Sequence, residues 1–262
     1  MGKYCIGIDV GPTRTSVGLF NENVQLLSEN RLMTDQEWTA EETADQLAAA
    51  AQNLLQENGL GSNALSGIGA AFPSYVDFNH GMLLETSFMP ALSDTPMRDL
   101  LQARLHSPVY LDNDGNAAAL AEYKLGAGIG HDDMVYAVLA TGIGGGLILN
   151  GKLYRGMHGM AGEIGHIFVS DSIGYPCSCG VTGCVQSICS GAHMAKFVTD
   201  RIKEGEDSDI LNYAGTFSAI DMVAVSRALR AGDTLALEVV NRSAEYLGRM
   251  FHRHRGRRRY SR

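Results

Sequence analysis

A chain of 262 residues is long enough for one large domain or two modest ones, and 45% hydrophobic with 19% charged residues is an ordinary globular make-up. A net charge of −8 argues against nucleic acid as the main partner. No run of about 18 apolar residues is available to span a membrane. The start MGKYCIGIDVG has neither a basic-then-apolar secretory signal nor, with Ile6 in sixth place, a good myristoylation motif, so a cytoplasmic protein without a membrane partner is expected.

The first third alternates strand and helix signals. KYCIGID is an apolar run, VGPTR a turn, TSVGLF a second strand, and NVQLLSENRLM can supply a third, which makes a meander. Residues 39–58 predict a helix, with Thr39 as cap, Glu42 three residues on and Gly59 after the end. LSGIGAAF (65–72) and SPVYLD (107–112) read as buried strands with a helix between them near 95–105, an order of βββαβαβα type. In the second half MVYAVLAT (134–141) and GLILNG (146–151) flank the glycine cluster GIGGG as a strand–turn–strand unit. Helices are expected near 190–203, 220–230 and 234–250, the last with Leu235, Val239, Val240, Leu247 and Met250 on one face.

Four segments can carry chemistry. In IGIDVGPTRTSVGLF (6–20) a strand ends at Asp9 and a tight turn contains Gly11 and Thr13. Such a turn can offer N–H groups and a hydroxyl to a phosphate, with Asp9 facing a hydrated Mg²⁺; a plain β-hairpin also favours these residues. In LATGIGGGLILNG (139–151), Thr141 is followed by Gly142, Gly144, Gly145 and Gly146, which allow close approach to a polyphosphate. This is not the dinucleotide fingerprint, because a strand follows, and a glycine-rich hairpin is the simpler alternative. Two such loops at corresponding places in two half-chains favour the phosphate reading.

In GEIGHIFVSDSIGYPCSCGVTGC (162–184) His166, Cys177, Cys179 and Cys184 form H-x10-C-x-C-x4-C, enough for a closed tetrahedral zinc site of structural type. Free structural cysteines are the alternative. The five cysteines are odd in number, and three crowd into eight residues, which favours metal over a disulfide framework. The fourth segment, LDNDGNAAALAE (111–122), places Asp112, Asn113 and Asp114 where an apolar run gives way to a helix, so one of them is expected to cap it.

DVGPTRT, LDNDGNAAALAE, LATGIGGGLILNG, GEIGH and CSCGVTGC, in that order, resemble the ROK family of sugar kinases and sugar-responsive repressors, from about residue 4 to residue 250. The resemblance implies an α/β, two-domain actin-like ATPase (ribonuclease H-like) fold with a ligand cleft between domains. The expected division is 1–116, 117–250 with the zinc loop, and 251–262 as a basic tail outside the fold. It further implies ATP, Mg²⁺ and a hexose whose 6-hydroxyl attacks the γ-phosphate, in a homodimer. Asp114 matches the family's general base and Asn113 a sugar ligand, leaving Asp112 as the helix cap. Glu163 and His166 match hexose ligands, with His166 also on the zinc, and Asp9, Gly11, Thr13, Thr141, Gly142, Gly144 and Gly145 match the nucleotide contacts.

The departures cluster at the ligands. Pro12 replaces the second glycine of the first phosphate loop and removes an N–H donor. Ser74 stands in the place of a glycine near the sugar, Phe88 in the place of an asparagine, and Gln186 in the place of a glutamate. Ser74 and Gln186 are carried as substrate-binding candidates, and the substrate is left open among glucose, allose, mannose and N-acetylhexosamines. The family's repressors need a helix-turn-helix segment ahead of the first phosphate loop, and Asp9 lies nine residues from the start, so DNA binding by that route is not expected. The last twelve residues, FHRHRGRRRYSR, hold six arginines and no acid. They are read as unrelated sequence following a truncation or frame change, with the glycine turn that holds adenosine in relatives missing; a genuine basic tail is the alternative. A sugar-binding protein without kinase activity is therefore the alternative function.

Overall fold

The computed structural model describes residues 3–86 and 88–252, and residues 253–262 of the arginine-rich segment lie outside the described residues. The chain forms two compact units. The first comprises residues 1–136 and 146–162, and the second residues 137–145 and 163 onward. The expected boundary near residue 116 thus differs from the observed division. The helix after Asp114 packs within the first unit, and the chain visits the second unit briefly at 137–145 before returning.

The first unit is built on β1 (Tyr4–Val10), β2 (Arg14–Asn21), β3 (Leu26–Met33), β4 (Leu65–Phe72), the hairpin β5 (Tyr75–Asp77) and β6 (Met82–Glu85), and β7 (Val109–Asn113). Its main sheet has the order β3-β2-β1-β4-β7. The meander β1–β3 is antiparallel, whereas β1, β4 and β7 run parallel. The parallel register pairs Asp9 with Ala71 and Ala71 with Asp112, a single row across three strands. Their C-terminal ends therefore share one edge of the sheet, the side where α/β folds place ligands.

Helix α1 (Ala40–Glu57) begins as expected: Thr39 accepts from the Glu42 N–H, and the Glu42 carboxylate accepts from the Thr39 N–H, a complete capping box. Leu47, Ala51, Leu54 and Leu55 bury its apolar face on β2 and β3, and α2 (Met97–Leu105) packs beside it. Gly59 adopts φ +66° just past the helix end. The core of this unit centres on Ile6, Ile8, Leu19, Ile68, Phe72 and Leu111. The β5–β6 hairpin has no counterpart in the sequence reading; YVD and MLLE are too short to register as strands.

Helix α3 (Asp114–Leu125) follows β7 directly. Strands β8 (Met134–Leu139) and β9 (Ile143–Leu149) come next, and β9 pairs with β10 (Lys152–Tyr154). Gly144, Gly145 and Gly146 lie inside β9 rather than in the preceding turn, which is confined to residues 140–142. At Gly146 the reason is packing: an added Cβ would sit 2.5 Å from the Ala119 Cβ and 2.9 Å from the Gly115 carbonyl oxygen of α3.

The second unit holds α4 (Val185–Cys189), α5 (Gly191–Lys203), α6 (Ile210–Ala214), α7 (Met222–Arg230) and α8 (Thr234–His252). Leu235 and Val239 of α8 join Val198, Val225 and Ala228 in one core, while Leu247 and Met250 pack with Val185, Ile188 and Tyr246 in another. α8 runs two residues into the expected tail. Among the described residues no helix is long and apolar enough to cross a membrane.

The close approach of α3 gives a direct test of this packing. Gly146→Ala is expected to lower stability by about 1–3 kcal/mol in denaturant unfolding, because the groups met are backbone and a short side chain. Gly144→Ala, whose Cβ would meet Val138 at an ordinary 3.4 Å, is expected to change stability by less than about 0.5 kcal/mol. Equal losses at both positions would contradict the register of β9 against α3.

Candidate functional site

In the first unit, the face of the sheet opposite α1 carries a groove of about 670 Å³, floored by Gly7, Gly18 and Gly69 and lined by Asp9, Asp112, Asp114 and Arg155. Asp9 reaches it from the penultimate position of β1, and Asp114 because it opens α3 immediately after β7. Asp114 holds the Gly115 N–H at 2.8 Å. Its carboxyl is pushed up, first by desolvation and then by the nearby Asp9 charge, which outweigh the hydrogen bonds favouring the anion. Desolvation also raises Asp9.

Asn113, not Asp112, caps α3: its Oδ1 accepts from the Asn116 N–H at 3.1 Å, and its Nδ2 donates to the Ser74 carbonyl at 3.2 Å. The expectation for Asp112 is thereby corrected. Its Oδ1 instead accepts from the Asn113 N–H and the Asn116 amide, and its Oδ2 is bound by Arg155. The cap falls one residue later because β7 continues through Asn113, so the helix starts at Asp114. Ser74 is 4% exposed and its hydroxyl donates to the Tyr75 and Glu85 carbonyls at 2.9 Å, so it braces the β5–β6 hairpin rather than presenting a group to a ligand.

The first glycine turn is partly self-satisfied. The Gly11 N–H donates to the Arg14 carbonyl at 3.0 Å, closing the turn, and an added Cβ at Gly11 would meet that oxygen at 2.8 Å. The Thr13 carbonyl accepts from the Thr34 N–H, and the Thr13 side chain is exposed.

In the second unit the β8–β9 turn presents Thr141 and Gly142 beside the start of α5. The Gly191 and Ala192 N–H groups donate to the Ala140 and Thr141 carbonyls at 2.8 and 3.2 Å, so the turn itself caps that helix. An apolar cavity of about 680 Å³ adjoins Thr141, walled by Ala192, Ala195, Ile220, Val223 and Val240. No glycine signal announces it; it arises from helix packing.

His166, Cys177, Cys179 and Cys184 place four ligand atoms within 4.8 Å of one another. His166 Nδ1 lies 3.6 Å from Cys177 Sγ, and Cys179 Sγ lies 4.0 Å from Cys184 Sγ. Tetrahedral zinc with Zn–S bonds of about 2.3 Å separates its ligands by roughly 3.8 Å, so the donor set fits the metal in spacing as well as chemistry. Burial lowers His166, which keeps the imidazole neutral as a ligand must be. Burial alone would raise Cys177, but the Cys179 N–H and donors from Cys184, Cys179 and Ser178 bring it below its usual range. Cys184 is pushed up to about 11, chiefly by burial. A cluster holding one easily ionised thiol beside a resistant one is suited to a cation that displaces the remaining protons. His166 Nε2 is 3.8 Å from the Glu163 carboxylate.

Gln186 departs from its expected place as a substrate ligand. Its Oε1 accepts from the Ile143 N–H at 3.0 Å and its Nε2 points at Cys177 Sγ at 3.7 Å. The amide thus ties the glycine hairpin to the cysteine cluster, a link between distant positions that spacing in the sequence does not reveal.

The raised carboxyl of Asp114 has a consequence for stability. A carboxyl that titrates higher in the native than in the unfolded state adds stability at low pH, and that contribution is lost as pH rises through the native value. Asp114→Asn, which keeps the Oδ1 acceptor but removes the charge, is expected to raise the melting temperature at neutral pH. The gain should vanish below the ordinary carboxylate range. A lower melting temperature at neutral pH would contradict the desolvated setting of this group.

The ROK family model matches residues 5–254. The chain is 33% identical to a glucokinase of Halalkalibacterium halodurans over 249 residues, 94% of this chain and 74% of that protein. It is 32% identical to an N-acetylmannosamine kinase of Yersinia pestis, covering 95% of this chain and 77% of that one. A ROK family glucokinase from Streptomyces griseus, solved with glucose and AMPPNP, superposes with a TM-score of 0.79 at 32% identity, over 95% of this chain and 78% of that one. With the family model matched over nearly the whole chain and relatives above 30% identity, this protein belongs to the ROK family.

Proposed function

We propose that this ROK protein is a sugar kinase that transfers the γ-phosphoryl group of ATP to the 6-hydroxyl of a hexose, with Asp114 as general base. The observation that carries this reading is Asp114 itself: a carboxylate at the C-terminal edge of the parallel strands, with its proton affinity raised by desolvation and by Asp9. The hydroxyl oxygen attacks the γ-phosphorus as its proton passes to the Asp114 carboxylate, and the bond from the γ-phosphorus to the bridging oxygen breaks to release ADP. Asn113, whose side chain meets the Ser74 carbonyl and the Asp114 carboxyl, is carried as a sugar ligand by family resemblance. Glu163 and His166 are carried as further hexose ligands by family resemblance.

Mg²⁺, when bound, neutralises phosphoryl charge, and Asp9 is the residue that would face it; a cation nearby would offset the desolvation this carboxylate bears. The apolar cavity beside Thr141 supports a nucleoside, with the Thr141–Gly142 turn toward the phosphates. The relatives' names support glucose and N-acetylmannosamine as the first hexoses to try.

A second reading, a sugar-binding protein with little turnover, is favoured by the first glycine turn, where the Gly11 N–H is already spent and Pro12 has none. ADP release with glucose, mannose, allose and N-acetylmannosamine separates the two. Asp114→Asn is expected to lower kcat by about 10²–10⁴-fold. The acid limb of kcat/KM should lie above the range of an ordinary aspartate, in the direction of the Asp114 shift. Hexose-dependent thermal stabilisation with no ADP release would select the binding protein.

We also propose that the His166, Cys177, Cys179 and Cys184 cluster holds one structural zinc, with four protein ligands and no open position for catalysis. Metal analysis is expected to find one zinc per chain, chelation to lower the melting temperature, and Cys184→Ser to lose the metal. Metal-free protein of unchanged stability, with all cluster thiols open to thiol reagents, would favour free structural cysteines.

A further inference from the structure

Arg155, just past β10, is placed to act on Asp114 without being part of the chemistry. Its Nε and Nη2 donate to Asp112 Oδ2 at 2.9 and 2.6 Å, and its guanidinium carbon lies 3.8 Å from the centre of the Phe78 ring. Both partners of the ion pair are largely shielded, with side-chain exposures of 26% and 15%. The other Asp112 oxygen holds the Asn113 N–H at 2.9 Å and Asn116 Nδ2 at 3.0 Å, one on each side of Asp114. The Asn116 Oδ1 is buried without a partner, and rotating that amide would turn it against the Asp112 carboxylate, so the amide has one orientation while the carboxylate stays in place.

The clamp has a firm base. Phe78 opens the turn between β5 and β6, where the Asn79 and His80 carbonyls accept from Arg98 at 3.0 and 2.7 Å. Arg155 therefore joins three pieces of the first unit: this hairpin, the end of β10 and the β7–α3 corner. Lysine cannot copy this, since only a guanidinium gives two donors to one carboxylate and a flat face to a ring. Charge points the same way. The charged groups lining the groove are Asp9 on β1, Glu29 on β3, Asp112 on β7, Asp114 on α3 and Arg155, so among the described residues lining it Arg155 is the one cation against four carboxylates.

We propose that Arg155 is a positioning residue for the phosphoryl transfer. Through Asp112 it fixes the corner bearing Asn113 and Asp114, and it balances the charge that would otherwise hold protons on Asp114. This rests on Asp114 being the base. The test measures turnover of glucose and ATP by the full chain across pH, for the unsubstituted protein and for R155M, R155K, D112N, R155M/D112N and D114N.

R155M is expected to lower kcat by about 10–100-fold, with the glucose KM changed less than about threefold, and to move the acid limb of kcat/KM to higher pH. R155M/D112N, which removes both charges, should bring the limb back. R155K should leave the limb in place and lower kcat less than R155M does. A merely structural role would lower the melting temperature while leaving the limb unmoved. An R155M protein with unchanged kcat and pH profile overturns the proposal while the kinase reading stands. Should R155M fail to fold, R155K decides, since full activity in it overturns the need for the guanidinium fork. Undiminished turnover in D114N overturns the base assignment beneath it, and absence of turnover in the unsubstituted chain overturns the kinase reading and this proposal together.

Discussion

The parallel register of β1, β4 and β7 is the constraint from which the groove of the first unit follows. Because Asp9, Ala71 and Asp112 fall in one row, their side chains leave the same face of the sheet at the same edge. A slip of one residue in β7 would send Asp112 to the opposite, core-facing side, where α1 and α2 pack, and would carry Asp114 away from Asp9. The buried partners that hold the register are Ile6 and Ile8 on β1, Ile68 on β4 and Val109 and Leu111 on β7. Hydrophobic burial on one face thus sets the placement of carboxylates on the other.

That placement carries a cost which the surroundings offset. Carboxylates gathered at one edge repel and raise each other's proton affinity, as Asp114 records in its response to Asp9. Asp112 is instead engaged by Arg155 and by two N–H donors, which hold its carboxylate in one orientation. Two carboxylates two residues apart thereby take different parts. One is tied down and orients the corner, and the other keeps a raised affinity for a proton despite the hydrogen bonds it accepts.

The second unit is organised by a different economy of hydrogen bonds. The turn between β8 and β9 caps α5, and Gln186 on α4 holds the next N–H of that hairpin while facing Cys177. Ordering of the cysteine loop and ordering of the glycine hairpin are therefore linked through one amide.

The sequence by itself determined most elements of this protein and the membership of its chemical groups. Local signals suffice for α1, because its cap and apolar face lie within twenty residues, and for the cysteine array, whose ligands are close along the chain. Four assignments depended on contacts that no local pattern carries: Asn113 rather than Asp112 as the cap, the Ser74 hydroxyl turned into a hairpin, Gln186 drawn to Ile143 and Cys177, and the boundary between units. The glycines of β9 were visible as a cluster, but Gly146 is needed because α3 passes at contact distance, which only the packed structure decides. Asp112 shows the division most clearly. An acid before a helix looks like a cap when read along the chain, and it becomes half of an ion pair only when tertiary packing brings Arg155, 43 residues later, onto its carboxylate.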